Sequence, residues 1–91
     1  MIINVKADQI TVPNSVGAGS SFSEAAVVRL ANPSDTDRVI TVSSVNTNAG
    51  KIGTFTILGN TSEIIEKRPP DVVHVGGGTD VMGVKVGYNI S

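Results

Sequence analysis

The sequence predicts an all-β fold: a single small β-sandwich of about seven or eight mainly antiparallel strands, either immunoglobulin-like or jelly-roll-like. The first observation is alternation near the C-terminus, where every second residue from Met82 to Ile90 is apolar. Side chains alternate between the two faces of a strand, so this run predicts one buried face and one outer face. The second observation is that turn-forming residues recur about every eight to twelve residues, which is typical of sandwiches and barrels.

The predicted strands follow from short runs of β-branched and apolar residues. They are residues 2–7 continued by 10–12, then 26–32, 38–45, 51–58, 62–68, 71–75 and 81–90. Only residues 23–30 compete as a helix, because Ala25 and Ala26 favour helix. Val27 and Val28 favour a strand instead. We therefore expect strands throughout the chain.

Turn-forming residues separate these strands. Pro13 closes the first stretch because it cannot donate to a ladder, and Pro33 fixes a polar turn at residues 32–35. The remaining turns are expected at residues 46–50, 59–60, 69–70 and 76–78. Residues 14–23 are rich in Gly and Ser and predict a flexible loop or arm within a single domain of residues 1–91.

Alternation within the strands predicts which side chains face inward. The predicted core consists of Val28, Leu30, Ile40, Val42, Phe55, Ile57, Met82, Val84, Val86 and Tyr88. The outer face of the last strand is predicted to carry Val81, Gly83, Lys85 and Gly87. A charge at Val84 is therefore expected to prevent folding, because it would be buried without a partner, whereas Lys85→Asp is expected to be mild.

The charges of the chain exclude several classes of partner. The chain has seven Lys and Arg and eight Asp and Glu, which gives a net charge of −1, and these residues are scattered along the sequence. Without a basic stripe or stacking aromatics, no nucleic-acid partner is expected. No apolar run approaches membrane-spanning length and the N-terminus does not resemble a signal peptide, so no membrane partner is expected. We expect synthesis in a cytoplasm and function without export.

The hydrophobic core is expected to be thin. The chain has no Cys, and aromatic residues make up 3% of its 91 residues. Neither a disulfide nor a thiolate metal site can therefore stabilise the fold. A chain of this length buries only about 60–65% of its unfolded surface. Two possibilities stay open: a compact monomer, and a domain that buries part of its aliphatic surface against a partner.

The residues that could take part in catalysis or ligand binding are better explained by structural roles. His74 is the only His and lies in a valine-rich strand, without the partners that a metal site or a catalytic group needs. The glycines at 76–78 precede a strand, whereas a phosphate-binding loop precedes a helix. They therefore predict a hairpin turn.

Two pairs of carboxylates lie close together in sequence. Glu63 and Glu66 fall on a charged edge strand, and Asp35 and Asp37 fall in a polar turn. Acid–base catalysis needs one carboxyl group in an apolar cleft, which neither segment predicts. Calcium binding by Asp35 and Asp37 stays open, although their loop lacks the ligand spacing of a calcium loop. No catalytic residue, cofactor or metal is predicted.

Residues 66–71 form the most distinctive surface segment. A charged strand end followed by two prolines predicts a stiff, polar corner. Protection of a sheet edge and contact with a neighbouring subunit both account for such a corner. Its candidate contact residues are Glu66, Lys67, Arg68, Pro69 and Pro70.

The apolar N-terminal strand is a second candidate contact. Ile2, Ile3 and Val5 lie beside the Gly/Ser segment and could pair with the edge of another chain, where backbone hydrogen bonds supply affinity. Alternatively, this strand completes the sheet of its own domain. Because charges are few and scattered, we expect apolar contacts that persist in about 0.5 M salt.

Five segments in order carry a resemblance to a known family. They are VVRLAN at 27–32, VITV at 39–42, GTFTI at 53–57, IIEKRPPD at 64–71 and MGVKVGY at 82–88. This series resembles small virion structural proteins of marine tailed phages, including cyanophages. The family pattern is expected to have Ala at Gly83 and Gly87, and the long Gly/Ser segment near the start is a further departure.

The resemblance implies a non-enzymatic capsid decoration (cement) protein, located in the virion, that binds and stabilises the shell of the major capsid protein. Other virion proteins are the remaining partners that it implies, and association with further copies of the chain stays open. A neck, tail or fibre component of the particle is the alternative. A carbohydrate-binding β module is a rival of another class, but such modules stack exposed aromatics on sugars, and this chain has no Trp and one Tyr.

Overall fold

The computed structural model describes residues 3–14, 19–44 and 50–88, and the regular elements among them are all β-strands. The strands are β1 (Ile3–Val5), β2 (Ile10–Thr11), β3 (Val27–Asn32), β4 (Arg38–Ser43), β5 (Lys51–Ile57), β6 (Thr61–Glu66), β7 (Val72–Gly76) and β8 (Met82–Tyr88). Every pairing between them is antiparallel. The prediction of an all-β, mainly antiparallel protein is therefore confirmed.

The strands form two sheets. The first sheet has five strands in the order β1-β8-β3-β6, with β2 also paired to β8. The second sheet has three strands in the order β5-β4-β7. At the N-terminus, Ile3–Val5 lies opposite residues 86–88 of the same chain, and Ile10 lies opposite Gly83. The described part of the N-terminal strand thus completes the sheet of its own chain.

The strand order is that of a jelly roll. After Val12, whose N–H donates to Val81 O at 2.8 Å, the chain crosses to the second sheet. There Pro13 O accepts from Val75 N at 2.8 Å, and Ser20 exchanges two backbone hydrogen bonds with Val73. The chain therefore borders β7 at these two points. In an immunoglobulin-like sandwich the last two strands share a sheet, whereas here β7 and β8 lie in different sheets, as in a jelly roll.

The core lies between the two sheets. Its buried members are Val12, Phe22, Ala25, Val28, Leu30, Ile40, Ile57, Val73, Val75 and Val81, with Val42, Phe55 and Ile65 packed at the margin. The alternation in β3, β4 and β5 predicted Val28, Leu30, Ile40 and Ile57 correctly. Val42 and Phe55 belong to the core but are only partly buried. The prediction missed six members, among them Phe22 and Val81.

The predicted burial of Val84 and Val86 is confirmed, but the predicted facing of β8 is wrong. Val81 is fully buried in the core, and Gly83 faces the same side, because it pairs with Leu30. Val84 and Val86 are buried with Val27 in a second cluster on the opposite face of the first sheet. Met82 on that face is half-buried, and the side chain of Tyr88 lies outside the described residues. Alternation showed the two faces correctly but could not show which one meets the second sheet.

A left-handed turn positions Phe22. Phe22, Ser23 and Glu24 have φ angles of 54°, 58° and 56°. Such backbone is costly for residues with a Cβ, by about 1–2 kcal/mol each. Burial of Phe22 and Ala25 offsets this strain, and Glu24 N–H donates to Ser21 Oγ at 3.1 Å. The predicted Gly/Ser arm thus ends in an ordered, buried turn; its residues 15–18 lie outside the described residues.

A buried amide joins the two turns at one end of the sandwich. Asn32 is 1% exposed, and its Nδ2 donates to Thr36 O at 2.8 Å and to Ile57 O at 3.3 Å. Its Oδ1 accepts from Ser34 Oγ at 2.8 Å. Asn60 N–H also donates to Ser34 O at 2.8 Å. These bonds fix the two connections, β3 to β4 and β5 to β6, that cross between the sheets.

Candidate binding surfaces

The outer face of the first sheet, the face that points away from the core, carries a row of aliphatic side chains. Pairing places Val5 beside Val86, Val86 beside Val27, and Val27 beside Glu66. In the neighbouring row, Val84 lies beside Arg29, which lies beside Ile64. We call Val5, Val27, Ile64, Val84 and Val86 the aliphatic strip.

The aliphatic strip is buried at its centre and open at both sides. Val27, Val84 and Val86 are 8%, 6% and 4% exposed, whereas Val5 is 69% and Ile64 is 36% exposed. The only charged neighbours that the pairing puts in its rows are Arg29 and Glu66, which have opposite signs. The exposed sides of such a strip can bind another apolar surface.

The edge of the second sheet at β5 forms another candidate surface. β5 pairs only with β4 among the described strands. Beside it runs an open groove of about 250 Å³, lined by Val42, Ile52, Gly53, Thr54, Phe55, Glu66, Lys67 and Asp71. Ile52 is 58% exposed, and a Cβ placed on Gly53 would meet nothing within 4 Å. The groove therefore has an apolar wall with a hollow in it.

The proline corner at residues 66–71 is tied to the fold by its charged groups. Lys67 Nζ donates to Ala25 O at 2.6 Å and to Pro69 O at 3.0 Å. Burial lowers the pKa of Lys67, while the carboxylate of Asp71 opposes that shift. Lys67 therefore acts mainly as an internal clamp between the corner and the segment before β3.

The other pair in the corner joins Arg68 to Asp71. Arg68 Nη2 donates to Asp71 Oδ1 at 3.1 Å, and the Asp71 side chain is 3% exposed against 70% for Arg68. The hydrogen bond from Arg68 holds the pKa of Asp71 below its usual range. Glu66, Pro69 and Pro70 remain exposed. A contact role for Glu66, Arg68, Pro69 and Pro70 stays a prediction.

The glycines at 76–78 hold a guanidinium group of the chain itself. Arg38 Nη1 donates to Gly77 O at 3.1 Å, and a Cβ on Gly78 would approach Arg38 Nη2 to 2.8 Å. Arg38 also makes two hydrogen bonds to Asp80, of 3.1 Å from Nε and 3.0 Å from Nη2. Gly77 has a φ of 96°, which suits glycine. The loop thus serves to seat Arg38, and strand β8 follows it.

The remaining candidates from the sequence lie apart from one another. His74 is half-buried on β7 opposite Thr41. Asp37 accepts a hydrogen bond of 2.9 Å from Gly59 N–H, which gives it a role in the turn. Within the described ranges, no three His, Asp or Glu side chains form a group that could hold a metal ion.

The N-terminal candidates are placed only in part. Val5 is exposed on the aliphatic strip, and Ile3 pairs with Tyr88 through its backbone. Ile2 lies outside the described residues, and the side chain of Ile3 is not described. Of the N-terminal contact residues, Val5 is therefore the one that the structure places on a surface.

Comparison of the chain with protein-family models, curated proteins and solved structures gives no match. The described part of the chain contains no helix long and apolar enough to cross a membrane.

Proposed function

We propose that this protein is a non-enzymatic structural protein of a phage particle, and that it binds and reinforces the capsid shell as a decoration protein. The aliphatic strip is the observation that carries the proposal. Val5 and Ile64 are 69% and 36% exposed on the face of the first sheet that points away from the core, and they flank the buried side chains of Val27, Val84 and Val86. The strip offers a ready contact for the apolar surface of a shell subunit.

The energetics of the strip suit a lattice partner. Burying an aliphatic side chain fully is worth about 1.5–3 kcal/mol, so Val5 and Ile64 together add a useful increment of affinity. The entropic cost of association consumes much of that increment in a single contact. A partner that binds only the folded state also stabilises this thin-cored domain by mass action. Many contacts on one shell would therefore stabilise both the protein and the particle.

The binding experiment changes the open sides of the strip. Particles prepared without the protein are mixed with the purified wild type or with Val5→Asp combined with Ile64→Asp, and bound protein is measured by co-sedimentation. We expect the double variant to bind at least tenfold more weakly, about 1.4 kcal/mol, because two charges must lose water in the contact. Wild-type binding should survive about 0.5 M salt, where charge attraction is screened.

Val39→Asp is the matched control for this experiment. Val39 is a 46% exposed aliphatic residue on β4 in the other sheet, opposite Thr56. This variant should bind shells as the wild type does. Equal binding by all three proteins, or release of the wild type at modest salt, would contradict the proposal. Copy number in purified particles separates shell decoration, with numbers on the scale of shell subunits, from a neck, tail or fibre role.

A further inference from the structure

The edge at β5 differs from the sheet edges at β6 and β7. β6 carries Glu63 and Glu66, and charges on an edge strand discourage pairing with another chain. The far side of β7 is bordered by Pro13 and Ser20. The run from Ile52 to Leu58 on β5 contains no charged residue and no proline. The side of β5 away from β4 pairs with no other described strand.

The groove beside this edge has an open space over Gly53, and Phe55 of another copy could fill it. Gly53 pairs with Val42 and Phe55 pairs with Ile40, so Gly53 and Phe55 lie on the same face of β5. The space over Gly53 is open, and Phe55 next to it is only partly buried. An aromatic ring placed over a glycine on a neighbouring strand is a favourable cross-strand pair.

We propose that a second copy of this chain pairs its β5 antiparallel with this edge, about a two-fold axis through Thr54. In that register Thr54 meets Thr54, and Phe55 of each copy lies opposite Gly53 of the other. Directly opposite residues in an antiparallel pair share a face, so each ring enters the hollow of the other copy. The contact is self-complementary, as a two-fold interface requires.

The chemistry of β5 favours a copy of itself over a charged peptide. The pairs that the axis creates in the regular part of β5 are Thr54 with Thr54 and Gly53 with Phe55, so no like charges meet. Cross-strand threonine pairs are themselves favourable. The register of β4 and β5 shifts at Ile52, which has no partner on β4, so the regular part of β5 is residues 53–57, and Thr54 lies within it. The dimer would join two three-stranded sheets into one continuous sheet.

The absence of native Cys allows a direct test of this register. Thr54→Cys places two sulfurs opposite each other at the axis, with Cβ atoms about 4.5–5.5 Å apart. The matched control is Thr56→Cys, which is also exposed on the same strand but lies roughly 13 Å from its own copy. After mild oxidation of the purified chain, we expect a disulfide-linked dimer for Thr54→Cys and little for Thr56→Cys. Equal cross-linking, none, or preference for Thr56→Cys would overturn the proposal.

A second variant separates association from folding. Gly53→Val fills the hollow that would receive Phe55, and nothing within 4 Å opposes the new side chain. We expect the isolated chain to become more stable, because glycine weakens a strand, and to dimerise at least tenfold more weakly by sedimentation equilibrium. A wild type that stays monomeric at about 1 mM, or a Gly53→Val variant that dimerises as well as the wild type, would contradict the dimer. These measurements need no shell, so they are independent of the decoration role.

Discussion

At the scale of single residues, Gly83 shows how closely the core constrains this sequence. A Cβ at this position would lie 2.6 Å from the Phe22 ring and 3.0 Å from Leu30. Phe22 in turn is held by a strained left-handed turn and cannot shift without moving that turn. The glycine therefore leaves the space that the ring occupies.

We predict that Gly83→Ala lowers the free energy of unfolding by about 1–3 kcal/mol, the usual cost of overpacking a core. Gly87→Ala is the matched control, because its Cβ would meet only the Lys6 side chain, with Cε at 3.0 Å. That flexible chain can move aside, so stability should stay within about 0.5 kcal/mol. Urea denaturation measures both. Equal losses would show that Phe22 does not fill the space over Gly83.

Phe22 also shows what composition could and could not reveal. The Gly and Ser content of residues 14–23 predicts flexibility, yet Phe22 and Ser20 hold the end of this segment in place. The available signal was the aromatic residue itself, since a large ring is rarely left in a solvated arm. Ser20 gave no signal, because its pairing with Val73 depends on the distant strand β7.

At the scale of elements, sequence reasoning found most strands but not their partners. Runs of apolar residues located β3 to β8, and turn chemistry located the connections at Pro33, Asn60 and Gly77. Strand order depends on contacts between residues far apart in the chain, which alternation does not encode. The open space over Gly53 and the internal hydrogen bonds of Lys67 could not be predicted from the sequence for the same reason.

β8 is the element in which local pattern and packing disagree. Alternation assigned Val84 and Val86 to the core because they are large and regularly spaced. The core instead receives Val81 and the bare backbone of Gly83, because Phe22 fills the gap. A central strand covered on both faces carries apolar residues on both, so periodicity cannot choose between them.

This reversal of the facing changes the expected effect of charges in and beside β8. Val81→Asp should prevent folding, because Val81 is fully buried between the sheets and its carboxylate would have no partner. Val84→Asp should also lose stability, because Val84 is only 6% exposed, but it should lose less than Val81→Asp, because Val84 is not enclosed between the two sheets. Circular dichroism and urea denaturation distinguish the two variants. If Val84→Asp is unfolded and Val81→Asp is folded, the original facing of β8 is correct.

At the scale of the whole molecule, two arginine–aspartate pairs stabilise connections between the sheets: Arg38 and Asp80 are far apart in the chain, whereas Arg68 and Asp71 are an (i,i+3) pair within one connection. Arg38 on β4 holds Asp80 in the loop that leads to β8. Arg68 holds Asp71 in the corner between β6 and β7. Because each of these connections crosses from one sheet to the other, both pairs help to fix the sheets in register. The domain has few aromatic residues and no disulfide. Its stability therefore depends on such ion pairs more than that of a domain with a larger core.

Acid should therefore destabilise the molecule through these two carboxylates. A hydrogen bond from Arg38 lowers the pKa of Asp80, and one from Arg68 lowers the pKa of Asp71. A carboxyl group whose pKa is lowered by folding stabilises the native state above its unfolded pKa, about 3.9 for Asp. That contribution is lost as the pH falls through the lower folded value. We expect the urea midpoint to be constant from about pH 5 to 7 and to fall steeply below about pH 4.

Neutral variants test whether these two groups cause the acid loss. Asp71→Asn and Asp80→Asn should each lower the midpoint at pH 7, because the arginine keeps its charge and loses the carboxylate. Each should also lose less stability between pH 5 and pH 3 than the wild type, since the titrating group is gone. Asp35→Asn is the control, because Asp35 is exposed and should leave the slope unchanged. Parallel acid profiles for all four proteins would mean that neither pair contributes and that the crossovers are fixed by Asn32 and the core alone.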